Sequence, residues 1–153
     1  MKIEHLKNCE SFIELLAIVQ FEHWGPLTGR DSLEQYKALL RGAEKSADLI
    51  ASLVALEGDK LLGSVNLVEN DLPVHRELTP WLAQLYVFPE SRCKGVGAAL
   101  IQAAVEEAKH LNWPKLYLYC SGTLPEYYKN LGWHRTEALD YQGKTRIIME
   151  IAT

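Results

Sequence analysis

Two cations and two glycines lie close together in the segment SRCKGVGAAL, which runs from Ser91 to Leu100. The segment follows an apolar run and opens an alanine-rich amphipathic run, a pattern that predicts a strand, a turn and then a helix. The first N–H groups of a helix have no intrahelical acceptor, and together with the helix dipole they favour a bound anion. Gly95 and Gly97 would let a phosphate approach the backbone without an intervening side chain. The spacing therefore predicts a phosphate-binding turn; the alternative is a structural turn with surface cations.

Two nucleotide-binding motifs do not fit the sequence. The dinucleotide fingerprint G-x-G-x-x-G requires a third glycine, but Leu100 occupies that position. The next predicted strand, KLYLYC, also lacks the acidic residue that would hold a ribose. The segment nearest to a Walker A loop, GDKLLGS from Gly58, has no lysine after Gly63. The turn therefore belongs to neither motif.

The elements that must position this turn follow from the periodicity of the chain. Apolar residues at helical spacing predict a first helix in CESFIELLAIVQF, which the glycines and proline of HWGPLTGR should end. Ser32 and Gln35 form a capping-box pattern that predicts the start of a second helix. The later segments predict three strands, a helix from about Gly95 to Leu111, a strand, a short helix ended by Gly132, and a hairpin. With the first strand KIEHLK, the order is β-α-α-β-β-β-α-β-α-β-β, an α/β fold in a single domain over residues 1–153.

Composition and charge limit the class of protein. The chain has 153 residues, of which 48% are hydrophobic and 24% charged, which is ordinary for a soluble globular protein. Its net charge of -4 argues against a general nucleic-acid binder. Cys9, Cys93 and Cys120 show no CxxC pairing, so the sequence predicts neither a disulfide framework nor a metal site. The N-terminal segment lacks the pattern of a secretory signal, and the apolar stretch LIASLVAL is too short to span a bilayer, so we expect a cytoplasmic protein without a membrane partner.

The turn and its context resemble a known family. Residues Arg92 to Gly97, RCKGVG, match the R/Q-x-x-G-x-G/A signature of the GNAT superfamily of N-acetyltransferases. The longer segment WLAQLYVFPESRCKGVGAALIQAAVEEA resembles the family's central strand, pyrophosphate loop and long helix in order. KLYLYC and EYYKNLGW resemble the next strand and the helix that follows it. The resemblance implies a GNAT-like fold, a mixed and mostly antiparallel sheet whose central parallel strand pair splays apart.

The resemblance also implies that acetyl-CoA is the acetyl donor, and it assigns the residues that bind it. The pyrophosphate would bind the turn and the first helical residues: Arg92, Cys93, Lys94, Gly95, Val96, Gly97 and Ala98. The pantetheine arm and the acetyl carbonyl would meet backbone groups of Leu85, Tyr86 and Val87. A backbone N–H directed at the developing oxyanion is worth roughly 2.7–4 kcal/mol where such donors have been removed. Cys93 departs from the small or basic residue usual at its position, which matters little if backbone amides bind the phosphates.

The same resemblance places a general acid at Tyr128, four residues before Gly132. A phenol is protonated at neutral pH and can donate its proton to a leaving thiolate. The alternative is a core tyrosine whose hydroxyl has a structural partner. Tyr127 should point about 100° away from Tyr128 on a helix, so only one of the two should face the sulfur.

The general base is less well defined, because no carboxylate lies within the strand WLAQLYVF. His75 lies in the segment that enters this strand, and histidine is the side chain whose charge changes nearest neutral pH. His75 is therefore the candidate base. The alternatives are His23, His134 and deprotonation through water.

Acceptor recognition is predicted in the segments FEHWGPLTGR and ENDLPVHRELTP, where Glu22, Glu69 and Asp71 could counter an ammonium group. The implied function is transfer of the acetyl group of acetyl-CoA to a primary amine of a small molecule or peptide, by direct attack in a ternary complex. The alternative is an acetyl-CoA-binding sensor or interaction domain without turnover. The family resemblance also allows a homodimer.

Overall fold

The computed structural model describes residues 1–28, 32–42 and 49–153. The described chain contains these strands and helices: β1 (Lys2–His5), α1 (Ile13–Thr28), α2 (Leu33–Leu40), β2 (Leu49–Glu57), β3 (Lys60–Val68), β4 (Trp81–Val87), α3 (Val96–His110), β5 (Lys115–Ser121), α4 (Pro125–Lys129), β6 (His134–Tyr141) and β7 (Lys144–Ala152). Their order is the predicted one. Within the described ranges, no helix has both the length and the apolarity to cross a bilayer.

The strands form one sheet in the order β1-β2-β3-β4-β5-β7-β6. Neighbouring strands are antiparallel except β4 and β5, which are parallel. These two strands pair at Trp81 and Tyr117, after which β4 continues along β3 to the pair Gly63–Val87. Strand β5 continues along β7 as far as Ser121. The carboxyl-terminal halves of β4 and β5 therefore diverge, which confirms the predicted splayed pair.

A bulge at Gln84 lies where β4 leaves β5. Two residues of β4, Gln84 and Leu85, stand opposite the single residue Val65 of β3. Gln84 has a φ of 48°, which is uncommon for a residue other than glycine. Such a bulge leaves one backbone position out of the hydrogen-bond ladder and bends the strand that contains it. The bulge bends β4 where it leaves β5, and beyond the pair Trp81–Tyr117 the edge of β4 that faces the gap has no paired strand.

Strand alternation sorts the core onto the two faces of the sheet. On one face, α3 and α4 pack through residues such as Leu100 and Tyr128 against Leu118 of β5. The opposite face carries α1 and α2 over β2 and β3. Farther along that second face, Trp81 and Tyr119 belong to a separate cluster over β4, β5 and β7. The gap between β4 and β5 is therefore open to groups from both faces.

Helix α1 is longer than the sequence predicts. It continues through Gly25 and Pro26 to Thr28, although these residues were expected to end it. The carboxyl-terminal part of the helix packs on β4, where the rings of His23 and Trp24 lie 4.9 Å and 6.5 Å from the ring of Tyr86. We attribute the extension to these tertiary contacts, which override the local helix-breaking residues.

Candidate active site

The divergence of β4 and β5 opens a cavity of about 500 Å³. It is lined by side chains from both faces of the sheet: Glu22, His23, Trp24, Asp71, Leu82, Ala83, Gln84, Leu85, Leu118, Tyr119, Cys120, Ser121, Leu124, Tyr128, Gln142, Lys144 and Arg146. Leu85, one of the residues predicted to bind the acetyl donor, therefore lies in the cavity wall. Tyr86 and Val87 follow it at the end of β4.

The predicted phosphate turn leads directly into α3. Cys93 and Gly95 both have positive φ, 61° and 83°, so the backbone reverses its handedness before the helix. The N–H of Ala99 donates to the carbonyl of Gly95 at 3.0 Å. The N–H groups of Val96, Gly97 and Ala98 precede this bond, so they are helix N-terminal donors without an intrahelical acceptor.

The turn also has the space that a phosphate group requires. A Cβ atom built on Gly95 would meet no heavy atom within 4 Å. One built on Gly97 would lie 3.3 Å from the Tyr127 hydroxyl and 3.7 Å from Val87 Cγ2. Gly97 thus keeps open a narrow approach between α3 and α4. The residues present fit the diphosphate of acetyl-CoA.

Arg92 and Lys94 are tied to the backbone beside the turn. Arg92 Nε donates to the Val87 carbonyl at 2.7 Å, and its guanidinium lies 5.4 Å from the centre of the Tyr86 ring. Lys94 Nζ donates to the Glu90 carbonyl at 3.1 Å. Arg92 therefore fixes the end of β4 against the turn and adds positive charge there.

The adjacent tyrosines of α4 face different surroundings. Tyr128 is 8% exposed, packs on Trp133 and lines the cavity. Burial raises the pKa of Tyr128 to about 12, with smaller contributions from Cys120 and Tyr127. No residue of the described chain forms a hydrogen bond with its hydroxyl. Tyr127 is 43% exposed, and its hydroxyl lies instead beside Gly97.

His75 is not among the residues that line the cavity. Its Nδ1 lies 2.7 Å from a carboxylate oxygen of Glu77, and its Nε2 lies 2.9 Å from one of Glu137. Both ring nitrogens are thus engaged by carboxylates, which ties the β3–β4 connection to β6. The structure brings Tyr128 to the cavity but does not bring His75 there.

His23 reaches the cavity in place of His75. Its Nδ1 donates to the carbonyl of Val19, one turn earlier in α1, at 3.0 Å. A carbonyl oxygen can only accept, so in the neutral ring the proton is on Nδ1 and Nε2 carries a lone pair. His23 was predicted from the sequence only as an alternative to His75.

Charged side chains of both signs line the cavity. Glu22 and Asp71, predicted from the sequence as possible partners of an ammonium group, are both in the wall, whereas Glu69 is not. Lys144 and Arg146 of β7 were missed. They occupy alternate positions of a strand, a pattern that directs both to one face but does not reveal which cavity that face borders. Across the described residues, no group of His, Cys, Asp and Glu is arranged to hold a metal ion.

A buried hydrogen-bond network stands behind the cavity wall at the bulge. Asn66 Nδ2 donates to Gln84 Oε1 at 3.0 Å and to Gln20 Oε1 at 3.2 Å. Asn66 Oδ1 accepts a bond of 2.7 Å from the Ser52 hydroxyl. The network therefore connects β2, β3, β4 and α1 through one side chain.

Comparison with known proteins agrees with this architecture. The model of the family described as "Acetyltransferase (GNAT) family" matches residues 10–133. No curated protein has a significantly similar sequence.

Several solved structures share the fold. An aminoglycoside 6'-N-acetyltransferase complexed with coenzyme A has 16% identity and a TM-score of 0.75, over 99% of this chain and 97% of that chain. The aminoglycoside 6'-N-acetyltransferase from Enterococcus faecium has 17% identity and a TM-score of 0.74, over 99% and 97%. A spermidine N-acetyltransferase chimera from Vibrio cholerae and hSSAT has 20% identity and a TM-score of 0.73, over 99% and 96%.

Proposed function

The chain belongs to the GNAT acetyltransferase family, and we propose that it transfers the acetyl group of acetyl-CoA directly to a primary amine of a small molecule or peptide. The family membership confirms the predicted enzyme class and the predicted acetyl donor. The observation that carries the proposal is the position of α4 between the phosphate turn, which is one half of the site, and the cavity, which is the other half. Tyr127 reaches Gly97 in the phosphate turn while Tyr128 lines the cavity.

The phosphate turn and the gap beside β4 together suit an extended donor molecule. The turn and the first residues of α3 supply N–H groups and the positive end of the helix dipole for a diphosphate: Arg92, Cys93, Lys94, Gly95, Val96, Gly97 and Ala98. The bulged end of β4 supplies backbone groups of Leu85, Tyr86 and Val87 along the gap. When bound, acetyl-CoA supplies a thioester, which is an activated acyl group. Preorganised N–H donors of β4 would polarise its carbonyl oxygen.

Tyr128 is proposed as the general acid. Its raised pKa means that Oη holds a proton at every pH at which the protein would be assayed. Its hydroxyl has no competing partner in the described chain, so the proton is available to a departing sulfur.

His23 is proposed as the general base in place of His75. The bond from Nδ1–H to the Val19 carbonyl fixes the tautomer that leaves the Nε2 lone pair available to the acceptor amine. His75 would first have to leave Glu77 and Glu137, and it does not line the cavity.

The proposal is tested by measuring thiol release from acetyl-CoA with a panel of primary amines, alongside a calorimetric titration of acetyl-CoA. We expect binding of acetyl-CoA and amine-dependent release of the thiol. Binding without release from any amine in the panel would show a domain that binds acetyl-CoA without turnover.

A further inference from the structure

Arg146 lies in the cavity wall without a hydrogen-bond or ion-pair partner among the described residues. Its Nε atom is buried and has no hydrogen-bond acceptor. No ion pair or hydrogen bond of its guanidinium is found in the part of the chain that the structure describes. The guanidinium lies 5.9 Å from the centre of the Tyr119 ring, and it lines the cavity. A buried N–H group normally has an acceptor, because leaving it unpaired is costly.

Lys144 extends this cationic surface. It stands two residues before Arg146 on β7, so strand alternation directs both side chains to the same face. Ile148, two residues farther on, packs in the cluster that includes Tyr119, which identifies that face. Tyr128 belongs to the core cluster of the opposite face. The cationic pair therefore lies across the sheet from the proposed acid, on the face that α1 covers.

Among the described residues that line the cavity, acidic side chains and those of lysine and arginine are equal in number. Glu22 and Asp71 contribute two carboxylates to the wall, and Lys144 and Arg146 contribute two cations. Charges of both signs affect the pKa of Tyr119. Burial and the charge of Asp71 raise this pKa, whereas the charge of Arg146 lowers it. A ligand that matches this wall carries an ammonium and an anionic group together. A polycationic amine would meet two cations in the same cavity.

We propose that Arg146, assisted by Lys144, binds a carboxylate of the acetyl acceptor, so that the substrates are amines that also carry a carboxylate, such as free amino acids or short peptides. This inference rests on the proposed acetyl transfer. Glu22, Asp71 and His23 would then receive the ammonium end of the same molecule. A guanidinium matches the planar geometry of a carboxylate, and two wall carboxylates disfavour the second charge of a phosphate dianion.

The experiment compares matched acceptors in the thiol-release assay. Each common amino acid is assayed beside its α-amide. Cadaverine and spermidine test amines that carry no anionic group. Phosphoethanolamine is compared with β-alanine to test a phosphate in place of a carboxylate. We expect the carboxylates to have the higher kcat/KM in each pair. In Arg146→Ala, KM for the carboxylates should rise about 10- to 100-fold, because a hydrogen-bonded charge is lost, while KM for the amides stays nearly constant.

Arg146→Lys and Arg135→Ala complete the series. Arg146→Lys keeps the charge without the forked geometry and should recover part of the carboxylate preference, even if the alanine variant folds poorly. Arg135 lies on β6 and is not among the cavity-lining residues, so Arg135→Ala should change neither member of a pair. Preference for polyamines or for phosphoethanolamine, or equal losses for acids and amides, would overturn the inference.

A binding measurement separates this inference from the proposed function. The best carboxylate of the panel is titrated calorimetrically into the protein saturated with coenzyme A. Binding that is lost in Arg146→Ala supports the carboxylate site, even if no amine is acetylated. Turnover of amines that bind no better than their amides would leave the acetyl transfer standing and refute the carboxylate site.

Discussion

At the scale of single residues, the two adjacent tyrosines of α4 lie in different surroundings and have different proposed roles. Tyr128 has a buried ring, a raised pKa and a hydroxyl without a partner in the described chain. Tyr128→Phe removes only that hydroxyl, so the stability and the acetyl-CoA affinity should be nearly unchanged. If Oη protonates the leaving thiolate, kcat should fall about 10²- to 10⁴-fold in steady-state thiol-release assays.

Tyr127→Phe is the matched variant for this prediction. Because the Tyr127 hydroxyl lies beside Gly97, its loss should alter acetyl-CoA affinity more than kcat. A normal kcat in Tyr128→Phe would mean that solvent or another group protonates the sulfur. If kcat falls strongly in Tyr127→Phe but not in Tyr128→Phe, the general acid is Tyr127 rather than Tyr128.

The two histidines give a second prediction at this scale. His23→Gln removes the lone pair that accepts the proton of the amine, so kcat should fall about 10²- to 10⁴-fold. His75→Gln should retain near-normal turnover, because both nitrogens of His75 contact carboxylates away from the cavity. Steady-state thiol-release assays of the two variants decide between them, and an unchanged kcat in His23→Gln would exclude His23 as the base.

At the scale of elements, the bulge of β4 depends on one buried amide. Asn66→Ala would leave the buried groups of Gln20 and Ser52 and the half-buried amide oxygen of Gln84 without their partner. Since each such group costs about 1–3 kcal/mol, we expect the free energy of unfolding in urea to fall by about 3 kcal/mol or more. The exposed Asn8, which donates to Glu4, provides the comparison, and Asn8→Ala should stay within about 0.5 kcal/mol of the parent. Equal stabilities of the two variants would mean that the network does not support the bulge.

Short sequence patterns predicted those helix ends that depend only on residues near them in the chain. The capping box of Ser32 and Gln35 is present with both of its hydrogen bonds, and Gly132, with a φ of 98°, follows α4 as expected. The extension of α1 and the bulge at Gln84 were not predictable in this way. Both depend on contacts with residues distant in the sequence, Tyr86 for the helix and Asn66 for the bulge.

At the scale of the whole molecule, the proposed site for acetyl-CoA (the donor half) and the proposed site for the amine (the acceptor half) are assembled from the chain in different ways. The proposed binding residues for acetyl-CoA are nearly continuous, from Leu85 to Ala98, so a single segment of the sequence was enough to predict them. The acceptor half combines α1, the β3–β4 connection and β7, from Glu22 to Arg146. Only the folded sheet brings those residues together, which is why the sequence suggested Glu22 and Asp71 for an ammonium group but did not suggest Arg146.

The proposed site for acetyl-CoA should also determine which ligands raise the thermal stability of the whole protein. Coenzyme A binds the folded state, so at about 100 times its dissociation constant it should add about 2.7 kcal/mol and raise the thermal midpoint by roughly 5–10 °C. NAD and ATP at equal concentration should do much less, because the turn matches neither nucleotide motif. Gly97→Glu places negative charge in the phosphate approach and should abolish the shift, whereas Ala138→Glu adds the same charge at an exposed position of β6 and should keep it. Differential scanning fluorimetry measures all of these midpoints. A full shift in folded Gly97→Glu, or a larger shift with NAD, would place the diphosphate elsewhere than at the start of α3.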